Sequence, residues 1–149
     1  MASYMKNINI ISRCCSLWRF VKLKDFDIGD CQHSYIYEIC RNPGVSQDQL
    51  ARRLFVNKSN ASRQLAWLEK SGFVERRQSE KDRRVIHVYP TEKMLNLLPE
   101  VRAASLQWRE YLTKGMTDEE IKTLSELLER MASRAAGYAE RALPEDAGE

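Results

Sequence analysis

The sequence predicts a mainly α-helical domain with a small β-hairpin, and three observations carry that prediction. Apolar residues recur at spacings of three and four in the early segments; residues 73–90 turn β-branched and aromatic around a charged turn; after Thr91 the helical spacing returns through Tyr138. The 149 residues, 43% of them hydrophobic, are enough for one domain with its own core, so the whole of 1–149 is expected to be a single domain. Six glycines and four prolines are too few for a low-complexity chain. No apolar run approaches the ~20 residues that span a bilayer, and residues 1–20 lack a secretory pattern, so the expected location is cytoplasmic.

The first helix is expected over 5–22, where Ile8, Ile11, Cys15, Trp18 and Val21 share one face. The segment DFDIGD interrupts it, and Asp30 is the expected N-cap of a second helix containing Tyr35, Ile36, Ile39 and Cys40. Asn42-Pro43-Gly44 ends that helix. Ser46, with Gln49 three residues on, forms a capping-box pattern before a third helix that buries Leu50, Ala51 and Leu54. After a turn at Phe55-Val56-Asn57, a fourth helix over 59–71 buries Ala61, Leu65 and Leu68 and ends at Gly72. Two short helices joined by a short turn make a helix-turn-helix. FVERRQ and VIHVYP then form two antiparallel strands around SEKDRR, a wing. A fifth helix begins at Thr91 and carries Pro99, expected to kink it, and Gly115 ends it. The last helix opens on a capping box at Thr117-Asp118-Glu119-Glu120, and Ile121, Leu124, Leu128, Met131, Ala135 and Tyr138 form a helical seam along it.

The net charge of +3 is unevenly spread. Residues 41–90 hold eleven Lys/Arg against five Asp/Glu, whereas residues 91–149 hold eight against twelve. A basic middle between near-neutral and acidic flanks is the footprint of a polyanion partner, although a solvated face has the same composition. The cysteines Cys14, Cys15, Cys31 and Cys40 lack zinc-ligand spacing, and no metal or other cofactor is expected.

With Ala61, Leu65 and Leu68 turned inward, helical geometry turns Ser59, Arg63, Trp67 and Lys70 outward and leaves Asn60 and Ser62 on the flanks; Trp67, costly to leave bare, is expected to pack beneath the wing or helix one and is given no base contact. Serine, asparagine and arginine at the start of such a helix can donate to base edges and phosphates of a major groove. Arg63 is the candidate for a bidentate contact to guanine; Lys58 and Lys70 are candidates for phosphate contacts. Ser59 or Asn57 could instead cap the helix. In the wing, Lys81, Arg83 and Arg84 stand beside Asp82, and an arginine at a wing tip can enter a narrow minor groove.

An enzyme reading finds no Gly-rich phosphate loop, zinc-protease motif or nucleophile elbow, and Cys31 and His33, two residues apart on a helix, face different directions. No catalytic residue is therefore assigned. A winged helix used only as a protein-interaction module would have no reason for the positive charge on helix four and the wing.

Taken in order, QDQLARRL, NKSNASRQLAWLEKSGFVERR and EKDRRVIHVYPTEKM resemble the MarR family of winged helix-turn-helix transcription regulators. The matched pieces are the NPG-V-S lead into helix three, Ser62-Arg63 in helix four, LEKSGFVERR into the wing, and Asp82 and Arg84 ahead of Val88. The resemblance implies a DNA-binding lobe at about 30–90 flanked by dimerisation helices at about 5–22 and 91–142. It also implies a homodimer on a pseudo-palindromic double-stranded operator, acting as a ligand-responsive repressor with a small apolar or aromatic effector. Arg63 would then lie on the recognition helix, and Arg84 would reach the minor groove with Asp82 holding it. A hydroperoxide-sensing branch of the same family uses a helix-one cysteine held by tyrosines, which Cys14 or Cys15 with Tyr35 and Tyr37 could imitate; the alternative function is thus a thiol-based oxidant sensor.

Overall fold

The Ser3 hydroxyl accepts the Lys6 N–H and opens α1 (Tyr4–Leu23), the first element of a computed structural model that describes residues 3–29 and 32–142. A short 3-10 turn at Lys24–Phe26 closes on Asp27, held in the left-handed region at φ 55°. The second helix, α2 (Gln32–Arg41), begins where expected, but its anticipated cap Asp30 lies outside the described residues. Gly44, at φ 83°, turns the chain after α2, and a Cβ there would meet the Tyr89 ring at 3.1 Å.

The order then runs β1 (Val45–Ser46), α3 (Gln47–Arg53), α4 (Lys58–Lys70), β2 (Val74–Gln78), β3 (Ile86–Pro90) and α5 (Glu92–Leu112). The three strands form one antiparallel sheet in the order β1-β3-β2. The wing hairpin was expected; β1 was not. Val45 and Ser46 become a strand by pairing with Val88 and His87. The third helix stops at Arg53, and Phe55, at φ 54°, lies in the turn where it was expected. The fifth helix runs through Pro99 as one element; the proline has no N–H for the Leu95 carbonyl one turn earlier.

The chain divides into a unit of residues 1–110 and one of residues 111–149. In the first, Ile36 and Ile39 of α2, Leu50 of α3, Ala61, Leu65 and Leu68 of α4, Val88 of β3 and Val101 of α5 are fully buried in one core, joined by Phe73 and Met94. All three apolar positions assigned to the inner face of helix four are in it. Trp18 of α1 stacks at a tilt on Trp108 of α5, with centroids 5.4 Å apart, and donates its indole N–H to the Ala104 carbonyl at 3.0 Å.

In the second unit, α6 (Asp118–Ala142) starts at the expected capping box. The Glu120 N–H reaches Thr117 Oγ1 at 3.3 Å, and the Thr117 N–H reaches Glu120 Oε2 at 2.8 Å. Leu124, Leu127, Leu128, Met131 and Tyr138 are exposed along it. Among the described residues no helix is long and apolar enough to cross a membrane.

Candidate nucleic-acid interface

Capping chemistry places the two helices of the helix-turn-helix. Ser46 accepts the Gln49 N–H at 3.1 Å while Gln49 Oε1 accepts the Ser46 N–H at 3.1 Å, so α3 starts on a reciprocal pair. The turn returns the Val56 N–H to the Ala51 carbonyl at 3.0 Å, and Asn57 then caps α4, its Oδ1 accepting the Asn60 N–H at 2.7 Å. The cap is therefore Asn57 and not Ser59, which leaves the Ser59 side chain exposed for another use. Gln47, Asn57, Lys58, Ser59, Ser62 and Arg63 line an open concavity of about 590 Å³ at this end of the two helices. Gln47 had not been singled out, and its Oε1 is buried without a partner there. The available signal was its place as the first residue after a capped helix start.

On the outward face of α4, Trp67 packs as expected of an indole too costly to leave bare. Trp67 is half-buried, with its ring 6.3 Å from that of Phe73 and nearly parallel to it, because an indole gains more from packing on the core than from water. Ser59, Arg63 and Lys70 are exposed as expected. On the flank facing α2, the Tyr35 hydroxyl donates to Asn60 Oδ1 at 2.9 Å, and Gln32 Nε2 donates to Gln64 Oε1 at 2.7 Å. Lys58 lies 3.3 Å from Asp48 of α3, so its charge is shared with a carboxylate.

At its far end α4 is tied to the wing. Gly72 takes φ 78°, and Arg76 of β2 donates from Nε and Nη2 to Glu69 Oε2 at 2.9 and 2.5 Å. These bonds and the adjacent guanidinium charge lower the pKa of the Glu69 carboxyl. The wing turn is ordered by its own short side chains. Ser79 Oγ accepts the Lys81 N–H at 3.3 Å, and Asp82 Oδ1 accepts the Arg84 N–H at 2.9 Å. Asp82 thus supports Arg84 through the main chain, whereas a guanidinium brace had been expected. Such a bond shapes the loop and leaves the arginine side chain unengaged.

Among the described residues, the side chains of Arg63, Lys70, Lys81, Arg83 and Arg84 are all exposed and make no ion pair, whereas Arg53, Lys58, Arg76 and Arg77 each have a carboxylate. Cys14 is exposed and Cys15 half-buried on α1, where Arg19 Nη2 donates to Cys15 Sγ at 2.9 Å. Tyr35 and Tyr37, the expected partners of these cysteines, direct their hydroxyls to Asn60 and to the Val101 carbonyl. Cys40 is partly buried, which raises its thiol pKa.

The MarR family model matches residues 26–85, which hold α2 through the wing turn. Over 131 residues the chain is 30% identical to the uncharacterised HTH-type transcriptional regulator YybA of Bacillus subtilis, a match covering 88% of this chain and 87% of that one. It is 31% identical over 93 residues to the transcriptional repressor MprA of Escherichia coli, covering 62% of this chain and 53% of MprA. A solved structure of a putative MarR family regulator from Listeria monocytogenes complexed with 26mer DNA superimposes with a TM-score of 0.87 at 25% identity, covering 95% of each chain. On this match of sequence along almost the whole chain, and with a capped helix-turn-helix leading into a three-stranded wing, the protein belongs to the MarR family.

Proposed function

We propose that this chain is a sequence-specific, double-stranded DNA-binding transcription regulator that acts as a homodimeric repressor. The observation that carries the reading is the row of unpaired cations, Arg63 and Lys70 on α4 and Lys81, Arg83 and Arg84 in the wing. Exposed cations without carboxylate partners keep their full attraction for a phosphate backbone. The relatives support it: one is named a transcriptional repressor, and one solved neighbour was captured with DNA. Family membership also brings a small apolar or aromatic effector into the reading. In the family's architecture α1, α5 and α6 are the elements that join two copies, and on α1 Ile10, Ile11, Leu17, Phe20 and Val21 are exposed. An apolar face of that extent is covered in stable proteins by another surface.

The test is binding to duplexes selected from a random library, followed across salt. With six to ten phosphates neutralised, affinity should fall roughly 10³-fold or more between 50 and 200 mM salt. Light scattering at micromolar concentration should give the mass of two 17.4 kDa chains. Failure to enrich any duplex, or a salt-independent interaction, would overturn the DNA reading; a monomer binding a single half-site would overturn the dimer.

A further inference from the structure

Asn60 and Gln64 lie one helical turn apart on α4, on the flank that faces α2, and both have their amide oxygens engaged by α2. The Tyr35 hydroxyl, on a side chain only 3% exposed, donates to Asn60 Oδ1 at 2.9 Å. Gln32, itself buried, donates from Nε2 to Gln64 Oε1 at 2.7 Å. Asn60 is further held at its main chain, whose N–H is bonded to the Asn57 cap. A primary amide offers one acceptor oxygen and two N–H donors. When the oxygen is turned toward a buried hydroxyl, the group left for any ligand on the outer side is the NH₂.

We infer that Tyr35 is a specificity-setting positioning residue: by holding the Asn60 oxygen it makes Asn60 a donor-only reader of DNA. This rests on the DNA-binding role proposed above and adds what that role does not specify. An asparagine with both ends free is the natural bidentate partner of adenine, accepting from N6–H and donating to N7. The oxygen keeps a second lone pair, but while it is turned toward Tyr35 the amide cannot bring oxygen and NH₂ together onto one base edge, so it cannot make that pair. It can bond only acceptors: the N7 or O6 of guanine, the N7 of adenine, the O4 of thymine, or a phosphate oxygen. The operator position under Asn60 is therefore not selected for adenine in the native protein. Gln32 imposes the same polarity on Gln64, so this edge of the recognition helix presents a row of donors set by its neighbour helix.

The experiment is selection of duplexes from a random library by the full-length protein, compared among the parent, Tyr35→Phe, Asn60→Ala and the double variant. Tyr35→Phe keeps the buried ring and deletes only the donor, freeing Oδ1 to rotate outward. It should gain an adenine preference of about tenfold at one position per half-site, the order of a new bidentate contact. Asn60→Ala should show no adenine preference there, and Tyr35→Phe should add nothing in the Asn60→Ala background. A change in stability alone would scale all sites together and leave the profile unchanged. If the parent selects a site and Tyr35→Phe selects the same profile, or the parent already requires adenine through Asn60, the inference is overturned while the DNA-binding reading stands. Tyr35→Met, which has no N–H or O–H donor on its side chain and can adapt to the buried site, gives the same readout should Tyr35→Phe not fold. If the parent enriches no sequence, the reading beneath the inference has failed, and the inference fails with it.

Discussion

Arg76, on the first strand of the wing, reaches back to Glu69 in the last turn of α4, two guanidinium N–H groups sharing one carboxylate oxygen at 2.9 and 2.5 Å. The Arg76 main-chain N–H donates to the other oxygen at 3.3 Å, so one carboxylate holds both the side chain and the backbone of the wing strand. The wing and α4 are thereby held in one geometry, as they must be if both are to meet a duplex together.

That relationship has a pH signature. The Glu69 carboxyl pKa lies below its ordinary 4.5, chiefly through the hydrogen bonds from Arg76. A carboxylate whose folded pKa is depressed stabilises the fold fully above its unfolded value and loses that contribution as pH falls through the folded one. Glu69→Gln should therefore lower the melting temperature slightly at neutral pH, the pair being partly exposed and worth less than about 1 kcal/mol. The difference from the parent should vanish below the ordinary carboxylate range. Thermal melts of both proteins from pH 7 to pH 3 check this; a constant difference throughout would remove the ion pair as its cause.

Arg63 and Lys70 are both exposed on α4 but differ in what they can recognise. Arg63→Ala should cost on the order of 1–3 kcal/mol of operator binding and relax preference at one base position, since a planar guanidinium can pair with guanine at two points. Lys70→Ala should weaken all sequences alike and flatten the salt dependence by about one unit of slope. Library selection with each variant separates them, and identical profiles would take base reading away from Arg63.

In the wing, Asp82 and Arg84 should fail in different ways. Arg84→Ala should reduce operator affinity, more strongly where the flanking duplex is A·T-rich and its minor groove narrow, while melting stays within about 0.5 kcal/mol of the parent. Asp82→Ala removes the acceptor for the Arg84 N–H and loosens the turn, so it should give part of the same loss. Binding to paired duplexes with A·T-rich and G·C-rich flanks measures both, and equal affinity of Arg84→Ala and the parent on the two would reduce the wing to a hairpin that touches nothing.

The helices were legible in the sequence because each is specified over a few residues. The Ser46–Gln49 and Thr117–Glu120 boxes close over three positions, and the buried stripe Ala61, Leu65, Leu68 follows from helical pitch alone. The basic residues of α4 and the wing were equally plain, because charge belongs to the side chain wherever the chain goes. What the tertiary structure decided are relations between residues far apart in the chain. Val45 and Ser46 are a strand only because β3 arrives beside them, and a two-residue run carries no period of its own. Pitch turns Trp67 outward, and which surface its indole would find there was settled only when Phe73 came beside it. Asn60 has the same side chain in either case, but which end of its amide is turned inward depends on a hydroxyl 25 residues away. Local hydrogen bonding and periodicity write the elements into the sequence; which end of a polar side chain remains free is written only when the elements pack.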